Sequence, residues 1–505
     1  MTTSNETVFE APVLSGRRKI KTDASVITRD NILTVLNDAM YTHYLNSTEI
    51  DYLYKYRKGI QPILERVKDV RPEINYRIVE NHADEIVKFK VGYLVGSPIQ
   101  YVANGNSEEI SRGLERLNTY MSSENKAKED MSIAEWNHIC GTAYRMVLPD
   151  SEADTEFDDA PFEIFTLDPR YAFVVYGNSL GEPARLGVKY IVREDGTILA
   201  SCYTPTEYFL IGWLETGEAD ILEEQINPLG RIPIIEYPLN DARVGAFETV
   251  LPLLDAINLT ASDRQNGLAQ FVQSLMRFHN VKIDLDEFKA LRDLGVVEYA
   301  DIEEGKKAEV DYITSDLNQA GAQSLIEHEY AMVLKIVGMP NRNSGNGDNG
   351  IAVVYRDGWS DAETNAKNSE TMFRGSELEF LKVVLTICRT LAEPALDLRL
   401  RDIKVRFTRR NYENIQMKSQ VLVTMLANEK IHPRLAFEYC GMFVDPEQAY
   451  IDSMEYYEEN KQPAVETEPA AQSADETELE AQNGEDNGNT GEDAENNPAA
   501  AEPER

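Results

Sequence analysis

The sequence has few cysteines and histidines and is short of positive charge. Four cysteines, Cys140, Cys202, Cys388 and Cys440, stand far apart in 505 residues. No Cys-x-x-Cys pair occurs, which argues against the thiolate zinc sites and dithiol redox motifs that need that spacing. Reduced thiols in an intracellular setting are the simple reading. The six histidines, His43, His82, His138, His279, His328 and His432, form neither an HExxH nor an HxxxH pair, so no metal site is expected. No Gly-x-Ser-x-Gly elbow appears, and no carboxylate pair stands out among 87 acids. No catalytic residue and no cofactor is therefore assigned, and the chain is read as a non-enzyme. No apolar run approaches the roughly 18 residues of a membrane span. Residues 1–20 carry no apolar stretch of the signal-peptide kind, so a chain that is neither exported nor membrane-bound is expected. Lys and Arg number 50 against 87 Asp and Glu, a formal charge of −37. A protein that grips nucleic acid by neutralising phosphates needs the opposite balance. The acidity does not exclude one that lets nucleic acid slide past.

Hydrophobic residues make up 42% of the chain, enough for a core over most of its length. The last 45 residues are different. Residues 461–505 hold thirteen acids against Lys461 and Arg505, and their only large apolar side chains are Val465 and Leu479. Such a segment cannot bury enough surface to offset chain entropy, so a disordered acidic tail is expected after Asn460.

Periodicity divides the remainder. Helical spacing is read over residues 31–56, around a capping signal at Ser47-Thr48-Glu49, and over 81–95, stopped by Gly96-Ser97-Pro98. It is read again over 107–120, with Ile110, Leu114 and Leu117 on one face, and over 131–144. Residues 162–238 change to short alternating runs separated by turn residues, the pattern of an antiparallel sheet. A long helix is predicted over 249–278, since Pro252 is tolerable in a first turn and Leu253, Ile257, Ala261, Arg264, Leu268 and Leu275 recur at helical spacing. A compact α/β insert follows, with strands at 279–283, 296–299 and 310–313. A second long helix reaches Val337 with Leu325, Ala331, Met332 and Ile336 on one side. After the polar, glycine-rich run Pro340 to Gly350, a helix over 359–396, a strand over 402–407 and helices over 414–428 and 433–438 complete the folded part. Two long helices flanking a small insert make a narrow neck that cannot bury both faces alone, which favours a ring of copies.

The stretch Tyr52-Leu53-Tyr54-Lys55-Tyr56-Arg57-Lys58-Gly59-Ile60-Gln61-Pro62-Ile63-Leu64 resembles the N-terminal signature of one family. Asn75-Tyr76-Arg77-Ile78-Val79-Glu80-Asn81-His82 and Lys90-Val91-Gly92-Tyr93-Leu94-Val95-Gly96-Ser97-Pro98-Ile99 follow in that family's order and spacing. The family is the portal proteins (head-to-tail connectors) of tailed bacteriophages, of the type found in long-tailed phages of Gram-positive bacteria. The resemblance covers roughly residues 30–460 and leaves the acidic tail outside. It implies an α+β, mainly helical, elongated subunit. Its parts are an N-terminal arm (1–30), a wing of helices and then antiparallel sheet (31–245), a stem helix (246–279), a small α/β clip (280–315) and a second stem helix (316–339). A tunnel loop (340–358), a long helix returning to the wing (359–412), crown helices (413–460) and the tail (461–505) complete it. It further implies a ring, usually a dodecamer, at one capsid vertex, through which double-stranded DNA enters during packaging and leaves during ejection. Terminase, head-completion adaptors, scaffolding and major capsid proteins are the implied partners, in the virion and in the host cytoplasm during assembly. Another ring-forming virion protein, such as a head–tail adaptor, is the alternative, although an adaptor would be shorter and lack two long neck helices.

Two sets of residues are the site candidates. In the glycine-rich loop Asn341, Arg342, Asn343, Asn346 and Asn349 offer hydrogen bonds to phosphate with little charge, which suits a gasket better than a clamp. The loop lacks the Lys and Ser/Thr of a nucleotide-binding GxxxxGK[ST] and the acidic series of an EF-hand, and a plain mobile loop is the competing reading. In the insert Asp284, Asp286, Glu287, Asp301, Glu303, Glu304, Lys306 and Lys307 would form an outer rim, by resemblance the docking surface for motor and adaptor, or merely a solvated edge. The dense basic patch Arg401, Lys404, Arg406, Arg409 and Arg410 reads as a solvated face or as ion pairs with an acidic neighbour before it reads as a DNA contact.

Overall fold

The computed structural model describes residues 14–272, 276–279, 309–312, 319–341, 358–408 and 415–460, less 70, 105–106, 151–152, 154–158, 214–218, 393 and 444–445, together with Asp286 and Lys289. Their fold is α+β and mainly helical. The helices are α1 (Ile32–Arg57), α2 (His82–Val95), α3 (Glu108–Ser123), α4 (Lys126–Cys140), α5 (Leu251–Val272), α6 (Gln319–Val337), α7 (Trp359–Leu391), α8 (Ile415–Leu426), α9 (Pro433–Cys440) and α10 (Pro446–Asn460). Residues 14–450 form one compact unit, and the described residues 451–460 belong to a second.

Two sheets replace the one read from the sequence. The six-stranded sheet has the order β1 (Ile20–Thr22), β5 (Ala172–Gly177), β6 (Ala184–Val192), β7 (Ile198–Tyr203), β8 (Glu207–Trp213), β9 (Ala219–Ile226). It is antiparallel except at one edge, where β1 runs parallel to β5 with Ile20 opposite Val175. The three-stranded sheet joins β10 (Ile234–Pro238), β3 (Thr142–Pro149) and β4 (Phe162–Leu167). Two small ribbons pair β2 (Gln100–Ala103) with β13 (Ile403–Arg406) and β11 (Met276–His279) with β12 (Glu309–Tyr312).

Each sheet has its own core, and α1 spans both. Its first half buries Ile32, Val35, Leu36 and Ala39 against Phe173, Val175, Leu186 and Phe209 of the six-stranded sheet. Its second half buries Ile50, Leu53 and Tyr56 in the larger core with α2, α4, α5, α6 and α7. The capping signal at Ser47 lies inside this single helix. Ser47 Oγ donates instead to the Arg170 carbonyl at 3.1 Å, so its hydroxyl ties α1 to the turn between β4 and β5 rather than starting a helix.

Other boundaries moved for local reasons. The helix read over 131–144 is α4, which ends at Cys140. Gly141 then takes φ +82°, and a Cβ there would lie 2.0 Å from the Arg243 carbonyl oxygen. Tyr144 therefore belongs to a strand. The helix read to residue 278 is helical only to Val272, and Met276-Arg277-Phe278-His279 pairs in register with β12. That strand, expected at 279–283, begins earlier because its period-two pattern starts at Met276. The helix expected to reach 396 stops at Leu391, where Ala392 turns extended two residues before Pro394. Strand β9 and helix α10 were not anticipated.

Candidate functional site

Few of the expected site residues fall in the described part. Asn341 does, exposed just beyond α6. Arg342, Asn343, Asn346 and Asn349 lie outside the described residues. In the insert Asp286 is exposed and faces Lys289 at 3.4 Å, whereas Asp284, Glu287, Asp301, Glu303, Glu304, Lys306 and Lys307 lie outside. In the basic patch Lys404 is exposed on β13, Arg401 sits 3.5 Å from its neighbour Asp402, and Arg409 and Arg410 lie outside.

The two chain ends that flank the glycine-rich run are well defined. Helix α6 closes with Gly338 at φ +65°, its amide donating to the Lys335 carbonyl at 3.3 Å and that of Met339 to Leu334 at 2.9 Å. Met339 and Pro340 are buried. On the far side Gly358, at φ +83°, accepts from the Ala362 amide at 3.1 Å as α7 begins. A Cβ on Gly358 would be 3.5 Å from the Met339 carbonyl oxygen and 3.6 Å from Pro340 Cα. The chain therefore leaves and returns at one point.

Helices α5 and α6 lie side by side, with the Arg264 side chain bonded to Gln319 (3.1 Å) and Gln323. The buried face of α5 holds Ile257 and Ala261 of the apolar stripe the sequence offered, with a polar row beside them. Leu268 of that set is 47% exposed, while Asn258, Ser262 and Asn266 are buried. These three, one turn apart, accept from the backbone amides of Glu80 (2.8 Å), Ile78 (2.9 Å) and Tyr76 (2.6 Å). The helix side chains thus replace a neighbouring strand for an extended segment, satisfying donors that burial would otherwise leave unpaired. Asn258 also donates to Gln61 Oε1 at 2.5 Å. The segments resembling the family signature, 52–64 and 75–82, are thereby fixed on α5.

On α6 the apolar side read from the sequence faces outward. Leu325, Met332 and Ile336 are 47%, 39% and 50% exposed, and Ala331 is exposed as well. Ile326, Val333, Leu334 and Val337 face the core. Both stripes are apolar, so periodicity alone could not rank them.

A buried ionic cluster joins α7 to the sheet. Glu377 of α7, Arg145 of β3 and Lys126 and Asp130 of α4 are all buried. Lys126 Nζ lies 2.7 Å from both Asp130 Oδ2 and Glu377 Oε1. Arg145 reaches Asp130 at 2.5 Å and Glu377 at 3.4 Å and lies over the Phe380 and Tyr237 rings. The Tyr237 hydroxyl donates to Glu377 at 2.9 Å, and Tyr101 donates to its other oxygen. Burial alone would raise the Glu377 pKa, but the Lys126 and Arg145 charges hold it below the usual carboxylate range. Burial opposes the charge on Arg145, yet Tyr237, Asp130 and Glu377 raise its pKa above the ordinary value. The signal missed in the sequence was Arg145, a charge at an inward position of an otherwise apolar strand.

Two further buried networks brace the same unit. Arg243 holds Glu236 at 2.7 Å and 3.0 Å, and Tyr176 donates to that carboxylate at 2.6 Å. Arg17 pairs with Glu248 at 3.0 Å. All four cysteines are buried free thiols, and burial pushes Cys140 and Cys388 up to about 12. Among the described residues no group of three or more His, Cys, Asp or Glu side chains is placed to hold a metal ion.

Comparison with known proteins completes the picture. The sequence profile of the family described as phage portal protein, SPP1 Gp6-like, matches residues 39–471. The match runs eleven residues into the acidic tail, which the sequence reading had left outside the resemblance. No curated protein matches significantly. Among solved structures, a chain of "Neck of empty GTA particle computed with C6 symmetry" is similar at 11% identity and TM-score 0.36, covering 71% of this chain and 90% of its own. With most of its length matched by one profile, the chain belongs to the SPP1 Gp6-like family of phage portal proteins.

Proposed function

We propose that copies of this chain form a ring at one capsid vertex whose axis is the passage for double-stranded DNA, inward during packaging and outward during ejection. The observation that carries this reading is the family match over residues 39–471. Portal proteins of this family are structural components of the virion and act as oligomeric rings. Residues 31–245 are the wing, α5 and α6 the stem, residues 280–315 the clip, residues 340–358 the tunnel loop and residues 413–460 the crown. Asn341, Arg342, Asn343, Asn346 and Asn349 face DNA with single, weak contacts. Asp284, Asp286, Glu287, Asp301, Glu303, Glu304, Lys306 and Lys307 meet terminase and then the head-completion adaptor. Scaffolding and major capsid proteins contact the wing.

Two physical features support this reading. A charge of −37 per copy makes a wall that repels a duplex, so DNA moves under force without a phosphate grip at each step. The outward apolar stripe of α6, Leu325, Met332 and Ile336, is suited to burial against a neighbouring copy in a head-to-tail ring.

The test is the native mass of the purified full chain, with negative-stain images, alone and with its scaffolding protein. A closed ring with a central hole, about twelve copies in number, is expected. A chain that stays monomeric or dimeric in both conditions would overturn the ring.

A further inference from the structure

The segment resembling the family's Lys-Val-Gly-Tyr-Leu block lies on α2, and one face of that helix touches both ends of the run that joins α6 to α7. Toward α6 there are two contacts. The Tyr330 hydroxyl lies 3.0 Å from each Glu85 carboxylate oxygen, with the His82 ring 4.4 Å from the Tyr330 ring. One and a half turns further along α2, Lys90 Nζ donates to the Val337 carbonyl at 2.5 Å. Val337 is the last residue of α6, where unpaired carbonyls and the helix dipole favour a cation.

Toward α7 the contacts come from the residues on either side of Lys90. Phe89 and Tyr93 are stacked 5.7 Å apart, and Trp359, the first residue of α7, lies 6.2 Å and 6.1 Å from them. The Tyr93 hydroxyl donates to Glu363 at 2.9 Å. Between the two ends, Gly338 packs on α7 so closely that a Cβ would lie 1.9 Å from Asn365 Nδ2. A gap of about 20 Å³ remains among Phe89, Lys90, Tyr93, Gly338, Asn365 and Ala366.

A purely structural filler would not need an ammonium here. No carboxylate among the described residues pairs with Lys90, and burial pulls its pKa down to about 8. Placing a desolvated cation at a helix end costs free energy that an apolar side chain would avoid. What the cation supplies is a directional hold on one carbonyl, at the point where α6 stops.

We propose that Lys90 and Tyr93 are positioning residues, through which α2 clamps the end of α6 and the start of α7 to each other as one unit. The two chain ends are then held at a fixed separation and orientation, and whatever lies between them is presented from a rigid base. The inference rests on the reading of that run as the tunnel loop for its functional consequence, but not for the clamp itself.

The experiment is hydrogen exchange on the full-length ring, comparing the parent with Lys90→Met and Tyr93→Phe. A clamp makes the ends reciprocal. Lys90→Met, made at the α6 contact, should speed exchange at the Gly338 and Met339 amides and also at Ala362. Tyr93→Phe, made at the α7 contact, should do the same at Gly338 and Met339. The expected change at each end is about tenfold or more, the opening of one charge-assisted hydrogen bond. Amides of β3 and β10 should not change. Acceleration confined to the end that was mutated overturns the clamp and leaves two independent caps. Acceleration everywhere, β3 and β10 included, also overturns it, as general destabilisation. DNA filling of capsids assembled with the same variants tests the underlying reading separately. Reciprocal loosening with normal filling would leave the clamp standing and remove the tunnel-loop role.

Discussion

Arg145 shows how much of this protein's order rests on single buried charges. Its guanidinium, together with Lys126, balances Asp130 and Glu377, two cations against two anions, all buried. Arg145→Met keeps most of the volume but leaves one negative charge uncompensated in a site without water access. Losing one partner of such a set costs about 3–5 kcal/mol, more than the pair itself would be worth against an apolar replacement. Thermal denaturation of the full chain should show a large fall in midpoint for Arg145→Met. Much of it should return in Arg145→Met/Glu377→Gln, where Lys126 and Asp130 remain balanced. Equal losses in the single and double variants would show that the site works by packing alone. Acid acts on the same group. The Glu377 pKa is lower folded than unfolded, so the stability it contributes is present above the ordinary carboxylate pKa and is lost as the pH falls through its folded value.

Helix α5 buries a polar row beside its apolar one, and helix α6 carries a second apolar stripe that faces outward. On α5 the inward Asn258, Ser262 and Asn266 act as hydrogen-bond acceptors for an extended segment. On α6 the outward Leu325, Met332 and Ile336 have no covering element among the described residues. Met332→Glu would place a charge in the middle of that stripe without touching the inward Val333 or Leu334. Native mass spectrometry should then show smaller species in place of the ring, while the melting of the isolated subunit changes little, as for a surface substitution. Intact rings at unchanged concentration would show that copies meet elsewhere. The same two helices mark what the sequence could disclose. Their existence and approximate extent were legible, because Pro252 fits a first turn and the apolar spacing on each persists over many residues. The full width of each buried face was not. Periodicity ranks apolar against polar, and here an extended chain with free amides buries the polar row of α5 beside Ile257 and Ala261, while α6 offers two apolar stripes of which one is buried. The end of α5 was misread for a related reason, since Met276 and Phe278 suit an alternating strand as well as a helix until β12 pairs with them. The site candidates were legible only as composition. Nothing local in the Lys90 to Leu94 block announces that it bridges two chain ends some 250 residues further on.

The whole molecule carries its charge as a property of the fold and not of the tail alone. Of the −37, residues 1–460 account for −26, since residues 461–505 hold thirteen acids and two bases. In the proposed ring this charge is multiplied, and the internal potential would oppose a polyanion wherever acids line the passage. Transport of a duplex through the proposed ring demands low affinity, because the counterion release that favours each phosphate contact has to be reversed as the duplex advances. A short fluorescent duplex mixed with assembled rings at about 50 mM salt should therefore bind no more tightly than ordinary non-specific contacts, about 10⁻⁴–10⁻⁶ M, and with a shallow salt dependence. The chain ending at Asn460 should behave in the same way, because the repulsion belongs mostly to the folded part. Fluorescence anisotropy over a salt series decides the matter. A sub-micromolar Kd that weakens steeply with salt would reveal a cluster of phosphate contacts, and the passage would then act as a brake rather than as a repelling wall. Tight binding that appears only after residues 461–505 are removed would instead locate the repulsion in the tail.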